Sequence, residues 1–213
     1  MNRLRRSLMA AMALAPLLAR AQQPAAGAAY TVLKPEMPVE TQGRIEVVEF
    51  FWYGCPACYK FEPLLEAWIA KLPADAQFRR VPAVFEDPRW GRDATIYYAF
   101  EALGLVEKLH RPMFDAIHRD RLRTDNPQAL AEWLQRNGVD VKRFEDTTKS
   151  FGVQSRVRRA AQLSASYRLE GVPTLAVHGR YTIKIEQGGT FEGMLAIAEH
   201  LIGVTRKSFA ARK

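Results

Sequence analysis

The sequence predicts an α/β protein in which an all-helical domain interrupts a chain that otherwise builds one sheet. Strand signals occur near the start, at Ile45–Trp52 and Gln77–Val81, and return near the end, at Thr174–Val177 and Tyr181–Ile185. Between them, residues 89–168 show helical periodicity with few strand signals. A crossover between strands needs roughly 30 residues, so the surplus is an inserted helical domain and not a long loop.

These changes of pattern divide the chain into six parts. In chain order they are a signal peptide (1–21), a disordered lead-in (22–29), a first sheet-forming part (30–87), a helical insert (88–168), a second sheet-forming part (169–202) and a basic tail (203–213).

Residues 1–21 have the pattern of a secretory signal peptide. Three arginines precede a short apolar run, and Ala19-Arg20-Ala21 fits the small-x-small cleavage rule. We expect cleavage after Ala21, export to the bacterial periplasm and a soluble mature protein, with an uncleaved anchor as the alternative. Residues 22–29, rich in Ala, Gln, Pro and Gly, are expected to be disordered.

The charge balance gives no indication of nucleic-acid binding. The chain has 31 basic and 23 acidic residues, and cleavage would remove four arginines and no acids. The remaining excess of basic residues is small and is spread along the chain without a recognition motif, so nucleic acid is excluded as a partner.

The first sheet-forming part contains three predicted strands and one helix. Tyr30–Leu33 is a candidate edge strand, whereas Ile45–Trp52 is apolar enough to lie at the centre of a sheet. An amphipathic helix runs over about Cys55–Leu72. The short strand Gln77–Val81 completes this part.

The insert contains five predicted helices, with Gly104 and Gly138 as stops. They are Arg92–Leu103, Glu107–Arg119, Gln128–Asn137, Val139–Thr148 and Val153–Tyr167. In the second sheet-forming part, His178-Gly179-Arg180 predicts the turn of a hairpin. Phe191–Leu201 is a final amphipathic helix, and residues 203–213 are expected to fray.

Cys55 and Cys58, the only cysteines of the chain, lie where the central strand gives way to a helix. At a helix N-terminus, unpaired N–H groups and the helix dipole favour a thiolate, which is the species that attacks disulfides. Cys58 lies one turn further on the same face and can close a disulfide with Cys55. A structural disulfide gains little from so short a loop, and a structural zinc site needs four ligands. We therefore interpret the pair as redox-active, with no cofactor and no metal.

Two motifs, in order around the helical insert, carry a family resemblance. The segments are Glu49-Phe50-Phe51, Gly54-Cys55-Pro56-Ala57-Cys58-Tyr59, Phe61-Glu62 and Gly171-Val172-Pro173-Thr174. In them the chain resembles the DsbA-type thiol:disulfide oxidoreductases of the thioredoxin superfamily. The resemblance implies a thioredoxin fold with an inserted all-helical domain, Cys55 as the exposed nucleophile and Cys58 as its buried partner. It also implies a cis peptide bond between Val172 and Pro173, packed against the disulfide.

The resemblance further implies an enzyme that donates its Cys55–Cys58 disulfide to unfolded or reduced exported proteins. A DsbB-like, quinone-linked membrane protein would reoxidise it, and the enzyme would be a monomer. One alternative is a periplasmic isomerase or reductase with the same site. We expect it less, because such isomerases have an added N-terminal dimerisation domain and only about twenty residues separate the expected cleavage site from the first predicted sheet strand. An alternative of another class is a module that binds peptides, or Cu(I) through the two thiols.

The resemblance makes Glu49 a buried acid near the cysteines. A carboxyl group in an apolar strand has a raised pKa, and it can accept a proton from Cys58 directly or through water. Because side chains alternate along a strand, Glu46 and Glu49 point to opposite faces, and at most one of them is expected to face the core.

Substrate contacts are expected on both sides of the cysteines. The backbone beside Pro173, at Val172, can pair with an extended substrate as an added strand. Phe51, Trp52 and Tyr53 precede the cysteine motif and could form an apolar rim for unfolded substrates, in which we assign Tyr53 to substrate binding. Packing in the core of the strand is an equal alternative for Phe51 and a weaker one for Tyr53. The four histidines are scattered without metal spacing, and we assign none of them a role.

One position departs from the family pattern. Many members have a histidine between the proline and the second cysteine, where this chain has Ala57. A histidine there can stabilise a thiolate by charge or by hydrogen bonding. We therefore expect Cys55 to be less acidic, and the enzyme less oxidising, than in a relative that has the histidine.

Overall fold

The computed structural model describes residues 24–41 and 43–210. The expected signal peptide, residues 1–21, lies outside the described residues. One sheet is built from β1 (Thr31–Val32), β2 (Ile45–Phe51), β3 (Ala76–Pro82), β4 (Thr174–Val177) and β5 (Tyr181–Lys184). The strand order is β1-β5-β4-β2-β3, so the candidate edge strand at the start of the chain does lie at an edge.

β2 is an inner strand, as its apolar sequence predicts. Every residue of Ile45–Phe51 is buried, and the strand runs parallel to β3 and antiparallel to β4. Because β2 and β4 are antiparallel, the end of β2 lies beside the beginning of β4, with Phe50 opposite Thr174. The cysteines that follow β2 and the proline that precedes β4 are thereby brought to the same edge of the sheet.

The helices of the described chain are α1 (Pro56–Ile69), α2 (Pro88–Ala102), α3 (Val106–His118), α4 (Pro127–Arg136), α5 (Val141–Lys149), α6 (Phe151–Ser166), α7 (Ile185–Gly188) and α8 (Phe191–Ala210). Helices α2 to α6 are the five predicted for the insert, with ends shifted by a few residues. Four of them begin where a side chain accepts a hydrogen bond from the first turn, as helix N-caps do. These caps are Asp87, Asn126, Asp140 and Ser150. The single-turn α7 has no counterpart in the sequence prediction.

Helices cover both faces of the sheet and create two cores. On one face, Val47 belongs to a buried cluster with Leu65 of α1 and Leu201 of α8. On the other face, Val48 belongs to a cluster with Phe100 of the insert. Full burial of one such side chain stabilises a fold by about 1.5–3 kcal/mol. The insert therefore shares a core with the sheet instead of forming one of its own.

Residues 24–29, the described part of the expected disordered lead-in, instead form a hydrogen-bonded turn. The N–H of Gly27 donates to the carbonyl oxygen of Tyr30 at 2.7 Å, and the N–H of Ala29 donates to that of Ala25 at 2.8 Å. The prediction rested on composition, which does not register such local backbone hydrogen bonds.

The final helix is longer than its apolar pattern suggests. α8 continues to Ala210, past the predicted end at Leu201, so most of the expected frayed tail is helical. Thr205 is fully buried there, and Arg206 pairs with Asp75, the residue that precedes β3. Neither α8 nor any other helix within 24–41 and 43–210 combines the length and the apolar character needed to cross a bilayer.

Candidate active site

Cys55 is the N-cap of α1, and its sulfur faces the open end of the helix. The backbone N–H of Cys58 donates to Cys55 Sγ at 3.2 Å, and Pro56 occupies the first helical position, where its missing N–H leaves no partner unsatisfied. No disulfide joins the two sulfurs in this structure. Negative charge on Cys55 Sγ would thus be stabilised by backbone N–H groups and by the helix dipole.

The two thiols differ in accessibility. Cys55 retains 7% of its surface exposed and Cys58 retains none. The expectation of an exposed Cys55 is therefore only partly right, because most of the residue is covered and only a small part of its surface stays open.

The more accessible thiol, Cys55, is also the more acidic of the two. A hydrogen bond from the Cys58 thiol, helped by the backbone N–H groups of Cys58 and Ala57, lowers the pKa of Cys55 to about 7 against the opposing effect of burial. Burial, followed by the hydrogen bond and charge of Cys55, raises the pKa of Cys58 well above its usual value. At neutral pH one thiolate forms readily and the other does not.

The loop before β4 contacts Cys55 on the side away from α1. Its thiol donates to the carbonyl oxygen of Val172 at 3.4 Å, and the expected cis peptide bond between Val172 and Pro173 is present. Beside this loop lies an open groove of about 370 Å³. Its lining runs over residues 170–174 and 184–187.

Both acids of β2 are buried, which corrects the expectation that at most one would face the core. They do point to opposite faces, but β2 is an inner strand and helices cover both of its sides. Glu46 pairs with Arg79 at 3.0 Å. Glu49 has a nitrogen of Arg80 at 3.3 Å, yet neither of its oxygens has a hydrogen bond of good geometry. Burial, and then the charge of Glu62, raise the pKa of Glu49 well above its usual value.

A buried polar chain that the sequence analysis missed lies beneath the cysteines. Glu62, one turn after Cys58 on α1, is bound by Arg80 of β3 at 2.9 Å and by His110 Nε2 of α3 at 3.1 Å. The other nitrogen of His110 lies 3.0 Å from the Tyr53 hydroxyl. Two consecutive arginines in β3, the strand that pairs with the acid-bearing β2, were the available signal for part of this network. Nothing in the spacing of His110 reveals its place.

Tyr53 is not part of an apolar rim, which corrects the substrate-binding role predicted for it. Only 1% of the residue is exposed, and its hydroxyl points inward to His110. Phe51 is fully buried as well. Trp52 alone of the three stays half-buried, stacked on Trp90 with ring centroids 4.3 Å apart.

A second histidine also lies at the site. His118 Nε2 is 2.8 Å from the carbonyl oxygen of Tyr53, and the ring stacks on Tyr59 with an interplanar angle of 8°. His110 and His118 therefore both brace the turn before Cys55. In residues 24–41 and 43–210, no group of three or more His, Cys, Asp or Glu side chains is arranged to hold a metal ion.

Comparison of this chain with known proteins identifies its relatives. A family model described as a DSBA-like thioredoxin domain matches residues 46–190. The thiol:disulfide interchange protein DsbA of Azotobacter vinelandii is 41% identical over 182 residues, covering 85% of each chain. That of Pseudomonas aeruginosa is 37% identical over 207 residues, covering 97% of each chain.

Solved structures agree with the sequence relatives. A crystal structure of Pseudomonas aeruginosa DsbA superposes with a TM-score of 0.82 at 38% identity, over 88% of this chain and 96% of that one. The oxidoreductase DsbA of Xylella fastidiosa gives a TM-score of 0.81 at 35% identity, over 87% of this chain and all of the other. The predicted thioredoxin fold with a helical insert is confirmed.

Proposed function

The chain belongs to the DSBA-like thioredoxin domain family and is a thiol:disulfide oxidoreductase, and we propose that it acts as an oxidase that donates its Cys55–Cys58 disulfide. The observation that carries this proposal is the contrast between the two sulfurs. Cys55 is partly accessible with a lowered pKa, whereas Cys58 is buried with a raised one. A substrate can therefore reach only one end of the disulfide, and the enzyme forms its mixed disulfide through Cys55.

The reaction is two exchanges. A substrate thiolate attacks Cys55 Sγ, a sulfur–sulfur bond forms between substrate and enzyme, and Cys58 leaves with the electron pair of the broken bond. A second substrate thiolate then attacks the substrate sulfur of the mixed disulfide and releases Cys55 as a thiolate. Two electrons have passed from the substrate dithiol to the enzyme disulfide.

Glu49 supplies the proton that the buried leaving group needs. A thiolate on Cys58 would be an uncompensated charge in the core, which is costly. Glu49 lies close enough to Cys58 for its negative charge to raise the pKa of that thiol, and its carboxyl oxygens have no competing hydrogen bond of good geometry. It transfers its proton to the Cys58 sulfur, directly or through water, and it accepts the proton in the reverse direction.

The loop at Val172 and Pro173 holds the substrate. The carbonyl oxygen of Val172 already faces the reacting sulfur, and the groove beside it is open. An extended segment of a reduced protein can pair with this backbone as an added strand, which places its cysteine against Cys55.

The compartment and the reoxidant complete the proposal. The signal-peptide pattern of residues 1–21 supports export to the periplasm, where disulfides persist. Each cycle leaves the enzyme as a dithiol, so a second protein must remove two electrons, and a DsbB-like quinone-linked membrane protein fits this requirement. The enzyme is proposed to act as a monomer.

The deciding experiment measures the equilibrium constant of the Cys55–Cys58 pair against glutathione, together with oxidative refolding of a reduced protein. A pair much more oxidising than thioredoxin, with refolding lost in Cys55→Ser, supports the oxidase. A pair as reducing as thioredoxin, or rapid reduction of insulin without refolding activity, assigns the chain to the reductases or isomerases instead. Tight binding of one Cu(I) without any exchange would contradict both.

A further inference from the structure

Beneath the cysteines, one arginine lies between two buried carboxyl groups. A terminal nitrogen of Arg80 is 2.9 Å from Glu62 Oε2, and its Nε lies 3.3 Å from Glu49 Oε2. Glu49 and Glu62 are both fully buried. One cation balances one carboxylate, and a second buried carboxylate would be uncompensated, so one of the two acids must carry a proton.

Hydrogen bonding decides which acid is charged. Glu62 accepts hydrogen bonds from Arg80 and from His110, while the oxygens of Glu49 accept none of good geometry. Donated hydrogen bonds stabilise a carboxylate over a carboxylic acid. Burial raises the pKa of Glu62, but His110 and Arg80 outweigh it and hold that pKa below its usual value. The negative charge thus lies on Glu62 and the proton on Glu49.

The orientation of the His110 ring follows from its partners. Burial lowers the pKa of His110 despite the nearby Glu62, so the ring is neutral and has a single N–H. A carboxylate can only accept, so Nε2 carries the hydrogen and donates to Glu62. Nδ1 then accepts from the Tyr53 hydroxyl at 3.0 Å, and both ring nitrogens are satisfied.

We propose that His110 is a positioning residue that keeps the negative charge on Glu62 and so leaves the exchangeable proton on Glu49, where Cys58 needs it. This inference deepens the proposed function and rests on it. When the substrate breaks the disulfide, the Glu49 proton moves to the Cys58 sulfur and leaves a carboxylate, which water then reprotonates. Without the His110 hydrogen bond, Glu62 and Glu49 would share the charge.

The other ionisable groups around this network are few. The groups that face Glu49 are Arg80, Glu62, Cys55, Cys58 and Tyr97, and those near His110 are Glu62, Arg80, Arg111, Tyr53 and Tyr97. Of these, only the two thiols change when the enzyme is reduced. The pKa of Glu49 therefore differs between the two redox forms, because a Cys55 thiolate nearby raises it.

The test is the pH dependence of the equilibrium constant with glutathione. A group whose pKa differs between the redox forms produces a break in this profile. His110→Leu removes the donor to Glu62, and the break assigned to Glu49 should move to lower pH by at most roughly 1–2 units, the effect of one hydrogen bond to a carboxylate. His110→Gln, whose amide can donate to Glu62 and accept from Tyr53, should keep the wild-type break.

Glu62→Gln provides an independent arm. With Glu62 uncharged, Glu49 is the only carboxylate paired with Arg80, so its pKa should fall and the break should again move to lower pH. Adding His110→Leu to this variant should move the break no further. The inference is overturned if Glu62→Gln leaves the break in place, if Leu and Gln at position 110 shift it equally, or if the effect of His110→Leu persists beside Glu62→Gln. Native circular dichroism confirms folding of each variant. The oxidase proposal fails separately, through a reducing equilibrium constant in the wild type.

Discussion

Cys55 reacts as a thiolate, so its reactivity should follow the pKa of about 7 that its hydrogen bonds produce. The rate of its alkylation by iodoacetamide in the reduced protein is expected to rise through pH 7 and to level off about one unit above. The largest cause of the low pKa is the hydrogen bond from the Cys58 side chain. Cys58→Ala removes this donor and should move the midpoint to higher pH, whereas Cys58→Ser keeps a hydroxyl donor and should move it less. Equal midpoints in the two variants would exclude this explanation.

Ala57 offers a second test beside the same sulfur. Ala57→His adds a group that can carry positive charge next to a thiolate at the helix N-terminus. The Cys55 pKa should fall, and the equilibrium with glutathione should shift toward the dithiol, giving a more oxidising enzyme. Ala57→Gln, of similar size but without charge, is the matched control. An equilibrium constant that is unchanged in Ala57→His would show that Ala57 does not set the potential.

The sequence was informative about the reacting residues and much less so about those that support them. Cys55, Cys58 and Glu49 could be placed because motif and strand position are local properties. His110 and Glu62 could not be paired from the sequence, because their contact depends on how α3 packs against α1. Tyr53 was assigned to the surface for the same reason: its burial depends on the insert, which covers the end of β2.

At the scale of elements, α8 shows which kind of contact holds a helix in place. Leu201 is fully buried between α8 and the sheet, whereas Arg206 pairs with Asp75 at the surface. Leu201→Ala should lower the free energy of unfolding by about 2–5 kcal/mol, since it leaves a cavity. Arg206→Ala should cost only about 0.2–1 kcal/mol, since water screens an exposed pair. Urea denaturation of the reduced protein measures both, and an equal loss in the two variants would contradict this ranking.

Element ends were the least predictable part of the chain. The helices of the insert follow from apolar periodicity, but their starts are set by side-chain caps, and Asp87 lies five residues before the predicted start at Arg92. The last turns of α8 contain basic residues and so lacked an apolar pattern. Their order comes from the buried Thr205 and from the ion pair of Arg206, both of which need the folded sheet.

At the scale of the whole molecule, the site depends on bringing together two distant parts of the chain. The cysteine motif follows β2 and the proline loop precedes β4, and the antiparallel pairing of these strands unites them. The order of strand and helix signals, with the two motifs, was enough to predict this fold. That β2 would be covered on both faces, burying Glu46 as well as Glu49, depends on the packing of the insert and α8 and was not evident from alternation alone.

The coupling of active site to fold gives a pH-dependent prediction for the whole protein. The pKa of Cys55 is about 7 in the folded dithiol form, against 9.0 for an unperturbed thiol, and the oxidised form has no such group. A group whose pKa is lowered by folding stabilises the folded state above its unfolded pKa, and this contribution disappears as the pH falls through the folded value. Between pH 6 and pH 8, the stability of the reduced protein should therefore rise relative to that of the oxidised protein by on the order of 1 kcal/mol. Cys58, with its raised pKa, stays a thiol over this range and does not oppose the trend.

Urea unfolding of both redox forms at the two pH values measures the difference, and Cys55→Ser, compared with the reduced wild type, should lack the rise. A difference that is the same at pH 6 and pH 8 would mean that folding does not stabilise the Cys55 thiolate.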